Sequence, residues 1–388
     1  MKVLQGIRVL DLGNFITAPL AGMLLGELGA DVVKVERPGG GDPFRAFKGG
    51  LYSPQFQAHN RNKRSLALDY TRPEGLGALD ELVAGADVLV LNMRPGVAER
   101  LGLGAVRLRQ LNPGLVYCAI TGFGSSGPYA GRAAYDNVGQ AASGWLSMFH
   151  RSHDARVAGP AVSDAVTGIH ACLGILGALV ERASTGKGRT VEVSMLESMI
   201  SMACEPLGSM LATGQVPGLY GRAAMSQSYI VTCRDGRRIG LHLSSPDKFW
   251  RGLAQAIGRP DLLAAYPTRR DRVEGYDELA RILAEIFATR DRDHWLPRLE
   301  EHDVPFTPER ELDELEADPQ VRHLDVFYTQ QHPRHGALRA THRAIRYDGD
   351  HHSNFLPPPD LGEHTEEILR EAGFSDSAMD ALRQARII

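Results

Sequence analysis

The sequence shows no marked excess of either charge, no closely spaced cysteine pairs and no uninterrupted apolar run of about 18 residues. Lys plus Arg number 43 and Asp plus Glu 47, a formal net charge of -4. A dedicated nucleic-acid or membrane-surface binder carries a strong basic excess, so neither partner is expected. The four cysteines, Cys118, Cys172, Cys204 and Cys233, are scattered without CxxC spacing and read as reduced core thiols. Fourteen histidines form no HExxH and no paired ligand spacing, and His351-His352 is a tandem in a polar loop, so no metal site is expected. GxSxG and P-loop motifs are also absent. The opening MKVLQGIRVLDLG is too short and too alternating for a signal peptide, and a soluble cytoplasmic protein is the expectation.

What is present is an α/β pattern. At about 150 residues per domain, 388 residues make two domains or three. Residues 7–12 read as a strand, 18–29 as a helix and 31–36 as a second strand, with Gly29 placed to end the helix. A helix over 73–84, a strand at 87–92, a helix over 97–111 and a strand at 115–121 continue the alternation. The spacing predicts a doubly wound open parallel sheet. A long apolar helix over 165–183, the strand TVEVSM and a helix through 196–212 follow. The domain reading is 1–200 for the first part of a large Rossmann-like domain and 201–225 for a linker. Residues 226–325 make a smaller α+β domain, with a hairpin turning at Asp235-Gly236, and 326–388 a linker and C-terminal segment.

Several motifs carry candidate chemistry. Gly122, Gly124 and Gly127 spell G-x-G-x-x-G after a strand, but Pro128 follows where a dinucleotide fingerprint needs a helix, so a turn with another purpose is the stronger reading. Gly39-Gly40-Gly41-Asp42, flanked by Arg37 and Arg45, is either a phosphate-wrapping loop or a plain surface loop. Asn60-Arg61-Asn62-Lys63-Arg64-Ser65 sits ahead of the apparent strand LALDY and is either a solvated face or a nucleotide phosphate site. Asp164 stands at the start of the long apolar helix. It reads as a helix cap, or as a carboxylate nucleophile whose pKa the helix N-terminus lowers. Spacing does not choose between these.

Taken together the motifs resemble the class III CoA-transferases of the formyl-CoA and carnitine CoA-transferase type. The matching runs begin with GIRVLDLGNFITAPLAGMLLGELGADVVKVERPGGGDPFR and NKRSLALD. They continue through ADVLVLNMRPGVAERLGL, TGFGSSGPYAGRAAYDNVGQAASG and VSDAVTGIHACLGILGALVERASTGKGRTVEVSMLES to LGEHTEEIL. The resemblance spans almost the whole chain and is weakest between about 200 and 330. It implies an interlocked homodimer whose large domain is built from both chain ends.

The resemblance also implies chemistry. Asp164 becomes the catalytic nucleophile, forming an aspartyl–acyl anhydride and then an aspartyl-CoA thioester. Coenzyme A and acyl-CoA are substrates, a small carboxylic acid is the acceptor, and no cofactor is permanently bound. Phe15, Ile16 and Thr17 lie beside the thioester arm, and Arg37 meets the ADP phosphates. His59, Asn60, Asn62 and Lys63, with Arg64, frame the nucleotide. Asn92, Met93 and Arg100 line the remaining CoA path, and Ala133, Tyr135 and Asp136 close over the pantetheine end.

The related α-methylacyl-CoA racemases, the alternative reading, pair the same aspartate with a histidine where this chain has Tyr135, which removes one of the two proton carriers they need. A nicotinamide oxidoreductase and a non-catalytic CoA binder are further alternatives. The stretch LHLSSPDKFW lacks the glycine run of the formyl-CoA transferase flap, which points to a small organic acid or dicarboxylate acceptor rather than oxalate.

Overall fold

The computed structural model describes residues 2–149, 155–244, 247–351 and 355–388. His352 of the histidine tandem, and Ser245 and Pro246 of the LHLSSPDKFW stretch, lie outside them. The N-terminal elements are β1 (Arg8–Asp11), α1 (Thr17–Glu27), β2 (Asp31–Glu36), α2 (Pro54–Asn60), β3 (Lys63–Ala67), α3 (Pro73–Ala84) and β4 (Val88–Leu91). They continue with α4 (Val97–Arg100), α5 (Ala105–Leu111), β5 (Val116–Thr121), α6 (Asp136–Ala142), α7 (Val162–Thr185) and β6 (Thr190–Ser194).

Successive strand side chains point to opposite faces, and this alternation builds two cores on one sheet. Val9, Val88, Val90 and Val116 pack with Ala18 and Leu25 of α1 and with Ala171, Ile175 and Leu179 of α7. Leu10, Leu89 and Leu91 face the other way, onto Leu79 and Leu82 of α3 and onto Ile368, Leu369 and Met379 from the end of the chain. All six strands run parallel in the order β3-β2-β1-β4-β5-β6. The winding reverses between β1 and β4, and in such sheets ligands bind outside the carboxyl ends of the strands at that point.

Residues Met1–Ala203 and Asp325–Ile388 form one compact unit and Cys204–Leu324 another. The first also holds the hairpin β10 (Phe327–His332) and β11 (Gly336–Thr341). The second carries the antiparallel sheet β7 (Ser228–Thr232), β8 (Arg238–His242) and β9 (Phe306–Pro308) over a core that includes Trp250, Leu253, Leu279 and Trp295. Its hairpin turns at Gly236, where φ is +76°.

Several sequence expectations change. The helix expected over 97–111 is two helices, interrupted where Gly102 takes φ +75°. The helix through 196–212 breaks at Ala203, and the helices Cys204–Thr213 and Gly221–Ser226 occupy most of the linker expected over 201–225. Cys204 is exposed, unlike the other three free cysteines. β3 starts at Lys63, inside the basic run rather than after it. Among the described helices only α7 is long and apolar enough to cross a membrane, and Ala171, Cys172 and Ile175 bury one of its faces against the sheet.

Candidate active site at the switch point

A cavity of about 190 Å³ opens where the winding reverses. The loop after β1 supplies Asn14, Phe15, Ile16 and Thr17, and the turn after β4 supplies Asn92, Met93 and Arg94. Gly122 after β5, then Arg132 and Tyr135, close another wall, and Asp164 comes from the first turn of α7.

Hydrogen bonds lace the two loops together. The Asn14 N–H donates to Asn92 Oδ1 (2.9 Å), while Asn92 Nδ2 donates to Asn14 O (2.7 Å) and Thr17 Oγ1 (3.0 Å). Phe15 stands at φ +62°, a left-handed conformation costly for a side chain with a Cβ. What holds it there is buried: the Phe15 N–H donates to Asp42 Oδ1 (3.1 Å), and Asp42 pairs with Lys34 at 3.1 Å. Lys34 Nζ also donates to Gly13 O (2.8 Å). Burial pushes the Lys34 pKa down, but Asp11, Asp42 and Glu36 outweigh it and hold the ammonium above its ordinary value. Of the Gly39–Asp42 loop, Asp42 therefore serves an inward brace, while Gly39 and Gly40 stay exposed. Arg45 is fully buried on Glu36, and a Cβ at Gly41 (φ +64°) would lie 2.8 Å from Glu36 Oε1.

Asp164 is not a cap, and the helix does not keep its carboxylate acidic. The N–H groups of Ser163 (2.8 Å) and Asp164 (3.3 Å) donate to Asp136 Oδ1, so Asp136 takes the positive end of α7. Gln140 Nε2 donates to the other Asp136 oxygen at 2.6 Å. Burial first, and then the negative charge of Asp136, raise the Asp164 pKa to about 7. Among the described residues its carboxylate accepts no hydrogen bond, and it is left facing the cavity. A nucleophile must be ionised, so kcat/KM for the acyl-CoA should rise with pH through about 7 on its acid side. Asp136→Asn removes the like charge while keeping an oxygen for the helix amides. That acid limb should move to lower pH in a pH–rate profile.

The remaining expected residues divide. Phe15, Ile16, Thr17, Asn92, Met93 and Tyr135 share the cavity with Asp164, and Asp136 anchors its rim. Tyr135 is 62% exposed and meets Phe15 edge-on at 5.7 Å. Ala133 is exposed beside it.

The others lie elsewhere. Arg37 is exposed and bonds Tyr70, and Arg100 is exposed at the end of α4. His59 is half-buried with Nδ1 at 3.1 Å from Gln55 O, and burial lowers its pKa. Lys63 is fully buried, its ammonium donating to Asp11 (2.8 Å), Pro19 O (2.7 Å) and Asn60 Oδ1 (2.8 Å). Asn60 Nδ2 donates to Phe56 O (2.9 Å), and Asn62 Oδ1 accepts the Leu356 N–H (3.0 Å). As β3 begins at Lys63, this part of the basic run braces the fold rather than facing a ligand. The sequence does not mark Asn14, Arg94 or Arg132 as site residues, and it offers Asp42 only as part of the Gly39–Asp42 loop. Arg94 and Arg132 do stand in matching runs, as single cations beside the expected contacts.

The glycine turn contributes by close approach. No helix follows it: α6 starts only at Asp136. A Cβ at Gly122 would sit 2.3 Å from the Ala134 Cβ, so the missing side chain lets the 122–135 loop fold back over the cavity.

Comparison with known proteins agrees with this architecture. A family model described as CoA-transferase family III matches residues 4–365. The chain is 32% identical over 397 residues to the Homo sapiens succinyl-CoA:glutarate CoA-transferase, covering 100% of this chain and 90% of that protein. It is 32% identical over 409 residues to the succinyl-CoA–L-malate CoA-transferase beta subunit of Chloroflexus aurantiacus, covering 99% and 98%. A crystal structure of a CAIB/BAIF family protein from Brucella suis superposes with a TM-score of 0.83 at 30% identity, covering 95% of this chain and 99% of that one.

Proposed function

The chain belongs to CoA-transferase family III and is an enzyme of the CoA-transferase type, and on that premise we propose that it moves coenzyme A between short dicarboxylic acids through covalent intermediates on Asp164. The observation that carries this reading is the Asp164 carboxylate itself: without a hydrogen-bond partner among the described residues, and aimed into the switch-point cavity.

Chemically, an Asp164 oxygen attacks the thioester carbonyl of the donor, the C–S bond breaks and CoA thiolate leaves an aspartyl–acyl anhydride. The thiolate then attacks the Asp164 carbonyl carbon, and the donor acid departs with the bridging oxygen. The acceptor carboxylate attacks the resulting aspartyl-CoA thioester and releases the thiolate. Attack of that thiolate on the new acyl carbon frees Asp164.

Each addition puts negative charge on a carbonyl oxygen. The N–H groups of Ile16 and Thr17, at the start of the 11-residue α1, donate to no partner among the described residues, and both residues border the cavity. They are the donors this site offers that oxygen. The brace of Lys34 and Asp42 behind Phe15 fixes their direction without touching the substrate.

The racemase reading needs a second proton carrier across the substrate. Among the described residues no histidine lines the cavity, and Tyr135 fills the relevant position. The dicarboxylate acceptor is supported by the relatives that use succinyl-CoA with glutarate or L-malate. A homodimer is supported by α7, whose outer face leaves Ile169 54%, Leu173 64% and Val180 75% exposed.

Labelled succinate tests the reaction class. With succinyl-CoA and no second acid, the enzyme should exchange the label into the thioester pool, as ping-pong carriers do. Deuterium uptake at the α-carbon without label exchange would place the protein with the racemases instead.

A further inference from the structure

We propose that Arg132 is the residue that selects dicarboxylic acids, by pairing with the carboxylate that does not react. This rests on the dicarboxylate reading above and gives it a side chain. Four arginines of the same unit are committed to carboxylates: Arg45 to Glu36, Arg61 to Glu27, Arg64 to Asp31, and Arg182 to Asp87. Arg132 has no carboxylate partner among the described residues, although it borders the cavity that holds Asp164. Its guanidinium carbon lies 3.8 Å over the Tyr129 ring, which steadies the cation while leaving N–H edges for a planar, bidentate carboxylate.

The loop that carries it is tied down at both ends. The approach at Gly122 fixes one end, and Asp136 on the α7 amides fixes the other. The volume bears on which part of the substrate fits this cavity. About 190 Å³ is about six times the liquid share of one water, room for a short acid and its acyl group but not for a nucleotide. Arg94 lines the same cavity, from the turn after β4 that the resemblance assigns to the CoA path.

In a ping-pong reaction, kcat/KM for the acceptor reports only the half-reaction of the CoA-loaded enzyme. Glutarate and pentanoate, equal in length, should therefore be compared as acceptors from succinyl-CoA with wild type, Arg132→Gln and Arg132→Lys. Loss of a charge-assisted pair predicts a fall of about 10- to 100-fold for glutarate in Arg132→Gln, with pentanoate within about twofold of wild type and partial recovery of glutarate in Arg132→Lys. Equal losses for both acids, or an unchanged glutarate value, would overturn the role of Arg132 while wild type still prefers glutarate. A wild type that prefers pentanoate would overturn the dicarboxylate reading, and the Arg132 assignment with it.

Discussion

Asp164→Asn should reduce CoA exchange by at least about 10³-fold, because it removes the atom that carries the acyl group rather than one that assists it. An electrostatic or positioning role would leave a much larger residue of activity. The same substitution should not unfold the protein. In the folded state the Asp164 pKa stands near 7, above the ordinary 3.8, so the folded state binds this proton more tightly than the unfolded chain. Stability is therefore lost as pH rises from about 4 to about 7, and above that range the ionised carboxylate is a standing cost. Asp164→Asn should then melt higher than wild type at pH 8 and lose that advantage at pH 4. Activity and stability moving in opposite directions mark a group held against its preference for function. Thermal melts at both pH values, beside the exchange assay, check both halves.

The second large effect concerns the fold beneath the site. Lys63→Met should destabilise the large unit by about 3–5 kcal/mol, as breaking a buried ion pair from one side does. The Lys63 ammonium and the Asp11 carboxylate are both fully buried and lie 2.8 Å apart. Without Lys63, Asp11 keeps only Lys34, 3.9 Å away, and the Gly13 N–H, while Pro19 O and Asn60 Oδ1 lose their donor. Adding Asp11→Leu to Lys63→Met should recover at least half of the loss, since the charge left stranded is then also removed. Urea unfolding of the two variants measures both numbers. A loss below about 1 kcal/mol in the single variant would mean that water reaches this network.

The two effects show how much of the molecule is legible along the chain. The apolar strands at 7–12, 31–36, 87–92 and 115–121, alternating with helices, predict a doubly wound parallel sheet, and the sheet is there because each of its faces has its own helices to pack against. Gly29 ends α1 at φ +102°, as its position predicts. Contacts distant in sequence are what reading along the chain misses. Asp136 takes the α7 amides from 27 and 28 residues away, which reverses the expected direction of the Asp164 pKa. A Ser-Asp pair before an apolar helix looks the same whether it caps that helix or waits in a cavity, so the family resemblance and not the spacing pointed to Asp164. The basic run behaved similarly. Charge density suggests a surface, but β3 starts at Lys63 and turns that lysine inward, onto an aspartate more than 50 residues earlier.

The central claim is that acyl and CoA groups pass through one carboxylate. Wild-type protein held with succinyl-CoA and quenched with hydroxylamine, then digested and weighed by mass spectrometry, tests it most directly. The account predicts a hydroxamate on the peptide containing Asp164, formed only when the thioester is present and absent from Asp164→Asn. Full turnover with that peptide unmodified, or a hydroxamate on a different side chain, would contradict it.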